Sequence, residues 1–465
     1  ELIDAIGNVT LDCYDSITTA RTAYDKLGDN AKTLVGNYET LTAAEEVLAK
    51  AEADVISNAI KAIDAIGKVT ADSKDKIENA KDAYSAVPER LRDKVTNSDT
   101  LDKATDRFAV IDTIKQAGAK SEEHFSTVLG TLADNNIYPV QSIGGEWSVI
   151  ALARAGKLSA DKAAKYYSEL CDAVKANGSD RLSDRKPTEN ARVIIALSSL
   201  GKNSADIAGY NLLSGLDDMD YITSQGINAV IFSLIAFDTT DYSAKTHDEL
   251  IAYIVDNMTG KGWALAGDTA DVDITAMAIQ ALAPYAADEK VNAAIDSGLE
   301  FLAESLDENA RYANGSESTS QVLIALAALG IDPLTDSRFI VDGITLIDAL
   351  ESYATENGYS HTLGGEENYM ATEQAALALT AYELSKDDSS LYDMSVKNEP
   401  ATPDEPVTPG NSSGTPDEPI LPGDCSGKPE DKNDPINPGT GVLVTGGMAV
   451  LISGAVMLVS KKKRK

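Results

Sequence analysis

The chain has 465 residues, 43% of them hydrophobic, enough to bury more than one core, so two or three domains are expected. Its formal net charge is −34 and its only basic run is the closing 461–465, a balance that repels phosphate backbones and argues against nucleic-acid binding. Cys13, Cys171 and Cys425 stand too far apart to suggest a disulfide framework or a metal-ligand set; each reads as an isolated side chain, and no metal or cofactor is expected.

The chain opens directly into a helical pattern, without an initiator Met or an export leader. The numbering is therefore expected to start inside a longer precursor whose signal lies upstream. IDAIGNVT at 3–10 recurs as IDAIGKVT at 63–70, and the match continues at a spacing of 60. Ile17 pairs with Ile77, Tyr24 with Tyr84, Val35 with Val95, Asn37 with Asn97 and Leu41 with Leu101. Each unit reads as three helices, the third starting near Thr40 or Thr100 as its N-cap, with breaks at Gly7, Gly67 and Pro88. Two small three-helix bundles in series are expected, over 1–58 and 59–112. Nothing in them resembles a catalytic constellation. They read as spacers, or as protein- or glycan-binding modules.

Residues 115–390 repeat a different pattern. Six Ala-rich, almost wholly apolar segments each follow a polar or Gly-rich loop: EWSVIALARAGK (146–157), TENARVIIALSSLGK (188–202), QGINAVIFSLIAF (225–237), DVDITAMAIQALAPY (271–285), STSQVLIALAALG (318–330) and ATEQAALALTAYEL (371–384). A helix apolar on all sides has to be covered all round. Between them lie amphipathic stretches. Val291, Ile295, Leu299 and Leu302 form one stripe, Ile251, Ile254, Val255 and Met258 another, and Tyr167, Leu170, Cys171 and Val174 a third. Buried helices alternating with half-buried ones imply two concentric rings, an all-α (α/α)6 toroid.

The segments GKGWALAGDTADVDITAMAIQAL and NGYSHTLGGEENYMATEQAALAL resemble the prenyltransferase and squalene-cyclase repeat superfamily, and above all its exported bacterial members. Class II terpene cyclases of that superfamily protonate an alkene or epoxide through the second Asp of a DxDD motif. Asp271-Val272-Asp273-Ile274 keeps the first two aspartates, so the resemblance places a proton donor at Asp273 with Asp271 beside it, while Ile274 replaces the last. Those cyclases pair two helical domains, and only one is evident here. Protein prenyltransferases bind zinc through Asp, Cys and His, and no Cys accompanies His361. The resemblance therefore implies the toroid with ligand binding rather than terpenoid chemistry; vitamin-B12 carriers of the transcobalamin type share the same toroid.

In such toroids the inner helices run parallel, so their N-termini and loops meet at one mouth. The residues expected there are Glu146, Trp147, Glu189, Asn190, Arg192, Gln225, Asp271, Asp273, Gln321, Glu373 and Gln374, with Trp263, Tyr312, Tyr359, His361 and Tyr369 from the loops. Aromatic rings beside carboxylates and amides suit a glycan or a small polyhydroxylated or corrin-like ligand. The same carboxylates also serve as N-caps and dipole partners, and the same rings as a plug. Glu146 with Glu373, or Asp273 with either, offers the alternative of an acid–base pair in a glycan-active enzyme. An adhesive or structural surface protein is the third reading.

Beyond the helical region the material changes. Ten of the 15 prolines fall between Pro400 and Pro438, and no aromatic follows Tyr392, so 391–436 reads as an extended linker. Asn437-Pro438-Gly439-Thr440-Gly441 then precedes 18 uncharged residues, 442–459, and the basic cluster 461–465. As a helix those 18 residues span about 27 Å, close to the bilayer's hydrocarbon thickness, with the cations held on the cytoplasmic side. This layout resembles an LPxTG-type cell-wall sorting signal of Gram-positive bacteria, with Asn437 where Leu is commonest. The resemblance implies cleavage between Thr440 and Gly441, with sortase and peptidoglycan as partners, an address on the extracellular surface, and membrane contact only through this last segment.

Overall fold

The computed structural model describes residues 1–135 and 138–394. Among them every regular element is a helix, and the only β-pairing is a handful of isolated bridges in loops. The described residues divide into two compact units: Glu1–Ala119 with Ile340–Asp348, and Lys120–Phe339 with the described residues from Ala349.

The first unit contains α1 (Tyr14–Asp25), α2 (Asp29–Lys32), α3 (Tyr38–Asp64), α4 (Lys74–Ser85) and α5 (Ser98–Gly118). Helix α3 runs unbroken through residues 58 and 59, so the expected boundary falls inside a helix. The third helix of one repeat is also the first helix of the next. The expected caps move as well: α3 and α5 begin after Asn37 and Asn97, not at Thr40 and Thr100. Each Asn amide reaches back to an aspartate, Asn37 Nδ2 to Asp4 Oδ1 in the opening turn at 2.8 Å and Asn97 Nδ2 to Asp64 Oδ1 at the end of α3 at 2.8 Å. One core gathers Ile3, Ile6, Ile17, Ala20, Leu41 and Leu48; the other gathers their counterparts around Ile63, Ile66, Ile77 and Leu101. The segment Ile340–Asp348, expected in the third region, belongs to this unit. Its Asp342 carboxylate accepts from Lys68 at 2.7 Å and Arg107 at 3.1 Å, and its carbonyl accepts the Ala71 N–H at 2.8 Å.

The second unit contains α6 (Ser121–Asp134), α7 (Ile143–Arg154), α8 (Ala160–Asn177), α9 (Pro187–Ser199), α10 (Leu212–Leu216), α11 (Met219–Thr223), α12 (Ile227–Asp238), α13 (His247–Asp256), α14 (Val272–Leu282), α15 (Glu289–Glu304), α16 (Ser316–Ala328) and α18 (Tyr369–Ser385), with α17 (Leu346–Glu351) shared between the units. All six apolar segments are helices, and their side chains are almost entirely buried. They pack in a closed circuit: α7 on α9, α9 on α12, α12 on α14, α14 on α16, α16 on α18, and α18 on α7. The amphipathic helices lie against them, α13 on α12, α15 on α14, and α6 on both α7 and α18. Between α9 and α12 the single long helix that regular alternation requires is replaced by α10 and α11. Asn211 and Asp218 each start a new turn there by accepting a backbone N–H, from Ser214 and Tyr221. Gly145 lets the first turn of α7 sit against the Pro139 carbonyl, where a Cβ would stand 1.8 Å from that oxygen.

Cys171 is buried on α8, and Cys13 carries a free thiol. No helix among the described residues is long and apolar enough to cross a membrane. The Pro-rich stretch from 395 onward and the segment Asn437 to Lys465, with Pro438, Gly439, Thr440 and Gly441, lie outside the described residues.

Candidate functional site

The first turns of α7, α9 and α18 are brought together by polar groups set into otherwise apolar helices. Glu146, fully buried, is used up by four donors. Its Oε1 accepts the Gln141 N–H at 2.6 Å and the Tyr166 hydroxyl at 3.1 Å. Its Oε2 accepts the Ser142 N–H at 2.8 Å and Arg192 Nε at 3.0 Å. Burial pushes the Glu146 carboxyl up, Arg192 pulls it back, and four donors hold it as an acceptor-only carboxylate. Glu189 takes the other edge of the same guanidinium, at 2.6 Å from Nη2.

Several expected mouth residues are struts. Asn190 is buried and bridges three backbone groups, Leu182 N, Asp180 O and Leu212 O. Gln225 Oε1 accepts both the N–H and the hydroxyl of Thr188 in the first turn of α9. Asp271 is the N-cap of α14, its Oδ1 accepting from Asp273 N at 2.9 Å and Ile274 N at 3.0 Å. Asp273 sits in the first turn of α14, and Ile274, where a cyclase has its last Asp, is core. Gln280, Gln321 and Gln374 form an amide chain across α14, α16 and α18: Gln280 Nε2 donates to Gln321 Oε1 at 2.9 Å, and Gln321 Nε2 donates to Gln374 Oε1.

The aromatics divide sharply. Trp263, Tyr312 and Tyr359 are buried, and the Trp263 indole donates to the Ile254 carbonyl at 2.6 Å. Trp147 packs on Phe232 with ring centroids 5.5 Å apart. Both rings are buried. Of the expected rings, Tyr369, the first residue of α18 and 43% exposed, and His361 in the loop before it stay open.

The Tyr369 hydroxyl lies 2.9 Å from Ser148 Oγ, and Ser148 in turn donates to Glu373 Oε2 at 3.3 Å. With one hydroxyl proton on each, the direction is fixed: Tyr369 donates to Ser148 and Ser148 to Glu373. Glu373 is 0% exposed, and its Oε1 has no hydrogen-bond partner among the described residues. Burial, reinforced by the Glu146 charge and opposed by Ser148 and Arg192, holds its carboxyl well above the usual range. A buried carboxyl with one unpartnered oxygen thus stands behind an exposed tyrosine.

No protein-family model matches this chain, and no curated protein matches it either.

Sequence reasoning missed Ser148, Tyr166 and Glu317. Glu317 Oε2 lies 2.8 Å from His361 Nδ1, which fixes the ring's orientation. The signal for Ser148 was present, a hydroxyl inside an apolar helix one turn from no cap position. Glu317 fell one residue before the apolar run that marked α16. Among the described residues no group of three or more His, Cys, Asp or Glu side chains is placed to hold a metal ion.

Proposed function

We propose that the second unit is an (α/α)6 toroid that binds a ligand at the mouth formed by Ser148, Tyr369 and Glu373, and that a sortase displays it on the bacterial cell surface through Asn437 to Gly441. The observation that carries the binding reading is Glu373: a fully buried carboxyl whose Oε1 has no hydrogen-bond partner among the described residues, linked through one serine to an exposed aromatic. Protonated, as its raised pKa favours, it is a donor without an acceptor; such a group costs about 1–3 kcal/mol, and a ligand oxygen accepting from it recovers that cost. A hydroxylated small molecule or glycan supplies such oxygens and a face for Tyr369. The closed circuit of six buried helices supports the toroid. The −34 charge, the proline content beyond residue 400 and the basic cluster after an apolar run support the surface address.

A thermal-shift screen of the full chain against oligosaccharides, cobamides and isoprenoids tests the binding reading, because a ligand of the folded state raises its stability. A shift with oligosaccharides or cobamides that disappears in Glu373→Gln supports it; no shift with any class refutes it. Fractionation of cells carrying the full chain tests the address, and recovery in cytosol alone contradicts it. A glycan-active enzyme is the second reading, favoured by the same neutral acid. It needs a separate base, and Glu146 is spent on four donors, so binding without turnover is the better account.

A further inference from the structure

The two N-terminal repeats keep one register, and a place that is filled in the first is open in the second. In the first repeat the Tyr24 and Tyr38 rings stack with centroids 4.3 Å apart. Beside them the Arg21 guanidinium donates from Nε and Nη2 to the two Glu45 carboxylate oxygens, at 2.6 and 2.5 Å. Its Nη1 reaches the Tyr38 hydroxyl at 3.4 Å. At the matching positions of the second repeat, Tyr84 stands for Tyr24 and Lys81 for Arg21, but Ser98 stands for Tyr38 and Thr105 for Glu45.

The loss of a phenol ring and a carboxylate leaves a cavity of about 480 Å³ between α4 and α5, lined by Lys81, Tyr84, Ser98, Asp102, Thr105 and Asp106. The surroundings are otherwise kept. Helices α3 and α5 begin at the matching residues Tyr38 and Ser98, and Leu41 and Leu101 are both buried. A cation at the matching position approaches each remaining ring, Lys32 at 5.6 Å from the Tyr24 centroid and Arg92 at 5.7 Å from that of Tyr84. The cavity is thus a change of side chains on a shared backbone, and the first repeat shows what fits there.

We propose that this cavity binds an acidic sugar, a ring that carries hydroxyls and a carboxylate. The place of the Tyr38 ring is the place of the ligand ring, against Tyr84, where the weakly positive C–H groups of a sugar meet the negative face of the phenol. The place of the Glu45 carboxylate is that of the ligand carboxylate, within reach of the Lys81 ammonium, which lacks the carboxylate that Arg21 has. Asp102 and Asp106, one helical turn apart on α5 and exposed, are acceptors for ring hydroxyls, and they repel an acid that has none to donate. Ser98 and Thr105 add hydroxyls of their own. The site lies in the first unit and is independent of the ligand proposed for the second.

The test titrates glucuronate into the full chain, with glucose and benzoate as controls, and follows amide hydrogen exchange of peptides covering 81–106. Glucuronate is expected to slow exchange there at concentrations where glucose and benzoate do not. The triple variant Lys81→Arg, Ser98→Tyr, Thr105→Glu rebuilds the filling of the first repeat, so it is expected to fold and to lose the response. Lys81→Gln changes one exposed side chain and is expected to weaken glucuronate about fivefold, the size of one part-exposed ion pair. No slowing with glucuronate, equal slowing in the triple variant, or an undiminished response in Lys81→Gln overturns the proposal. Glucose or benzoate acting as well as glucuronate overturns it too, since the site then does not read both the hydroxyls and the carboxylate.

Discussion

Replacing Glu146 by Ala removes a single acceptor that four donors share. Arg192 keeps Glu189, but the buried Tyr166 hydroxyl and the N–H groups of Gln141 and Ser142 lose their acceptor. Breaking a buried ion pair from one side costs about 3–5 kcal/mol. Because Glu146 is fully buried, solvent screening offers no relief. Glu146→Gln keeps the shape and one carbonyl oxygen but turns an amide donor towards other donors, a loss of about 1–3 kcal/mol. Both tryptophans, Trp147 and Trp263, lie in the second unit, so tryptophan fluorescence in urea follows that unit alone. At a slope of about 2–3 kcal/mol per molar urea, Glu146→Ala lowers the midpoint by roughly 1–2 M and Glu146→Gln by less. Adding Arg192→Met to Glu146→Ala removes a buried cation left with Glu189 as its one carboxylate partner and recovers part of the loss. A Glu146→Ala midpoint equal to that of the parent chain refutes the reasoning, since the carboxylate then holds nothing together.

Three further outcomes are expected. Glu373 has a folded-state pKa raised above the unfolded value of 4.5, so the folded chain binds the extra proton and stability falls as pH rises from about 4.5 through the folded pKa. Glu373→Gln flattens that slope of about 1.4 kcal/mol per pH unit; an unchanged urea midpoint-versus-pH curve contradicts it. Asp342 behaves oppositely: burial opposes its ionisation, but Lys68 and Arg107 hold its carboxyl below 3.8, so its contribution is present above that value and lost as pH falls through the folded pKa. Asp342→Asn should speed exchange in 68–73 and around Arg107 at pH 7 and make no difference in strong acid; equal exchange at both pH values would refute the pairing. Iodoacetamide should label Cys13 in the native chain and reach Cys171, buried on α8, only when the second unit unfolds; labelling of Cys171 in the native chain at the rate of Cys13 would contradict its burial.

The six buried helices were legible in the sequence because a segment apolar on every side has one solution in water, coverage all round, and Ala-rich composition with regular loops left no strand alternative. The repeat register of 60 was equally plain. The helix starts were read less well. Thr40 and Thr100 look like caps by residue type, but the helices start after Asn37 and Asn97, three residues earlier, each bonded to an aspartate well before it in the chain, a tertiary contact that local pattern does not carry. The merger of two repeats through α3 escaped for the same reason: nothing between residues 50 and 64 breaks a helix, and absence of a break is easily read as a boundary once repeats are counted. At the mouth, residue type located the right turns but not the roles. Asp271, Gln225 and Asn190 are the cap and strut residues that polar side chains at helix starts usually are. Glu146 and Glu373 look alike in sequence. Their difference, four donors against one, comes from the neighbouring chain segments each meets in the fold.

Difference infrared spectroscopy of the full chain at pH 7 tests most directly whether Glu373 is a neutral donor waiting for a ligand oxygen. A protonated-carboxyl C=O band that is present in the parent, absent in Glu373→Gln, and moved to lower frequency when chito-oligosaccharides or a cobamide are added is the predicted result. The absence of that band, or a band that none of those ligands moves, contradicts a binding mouth built on Glu373.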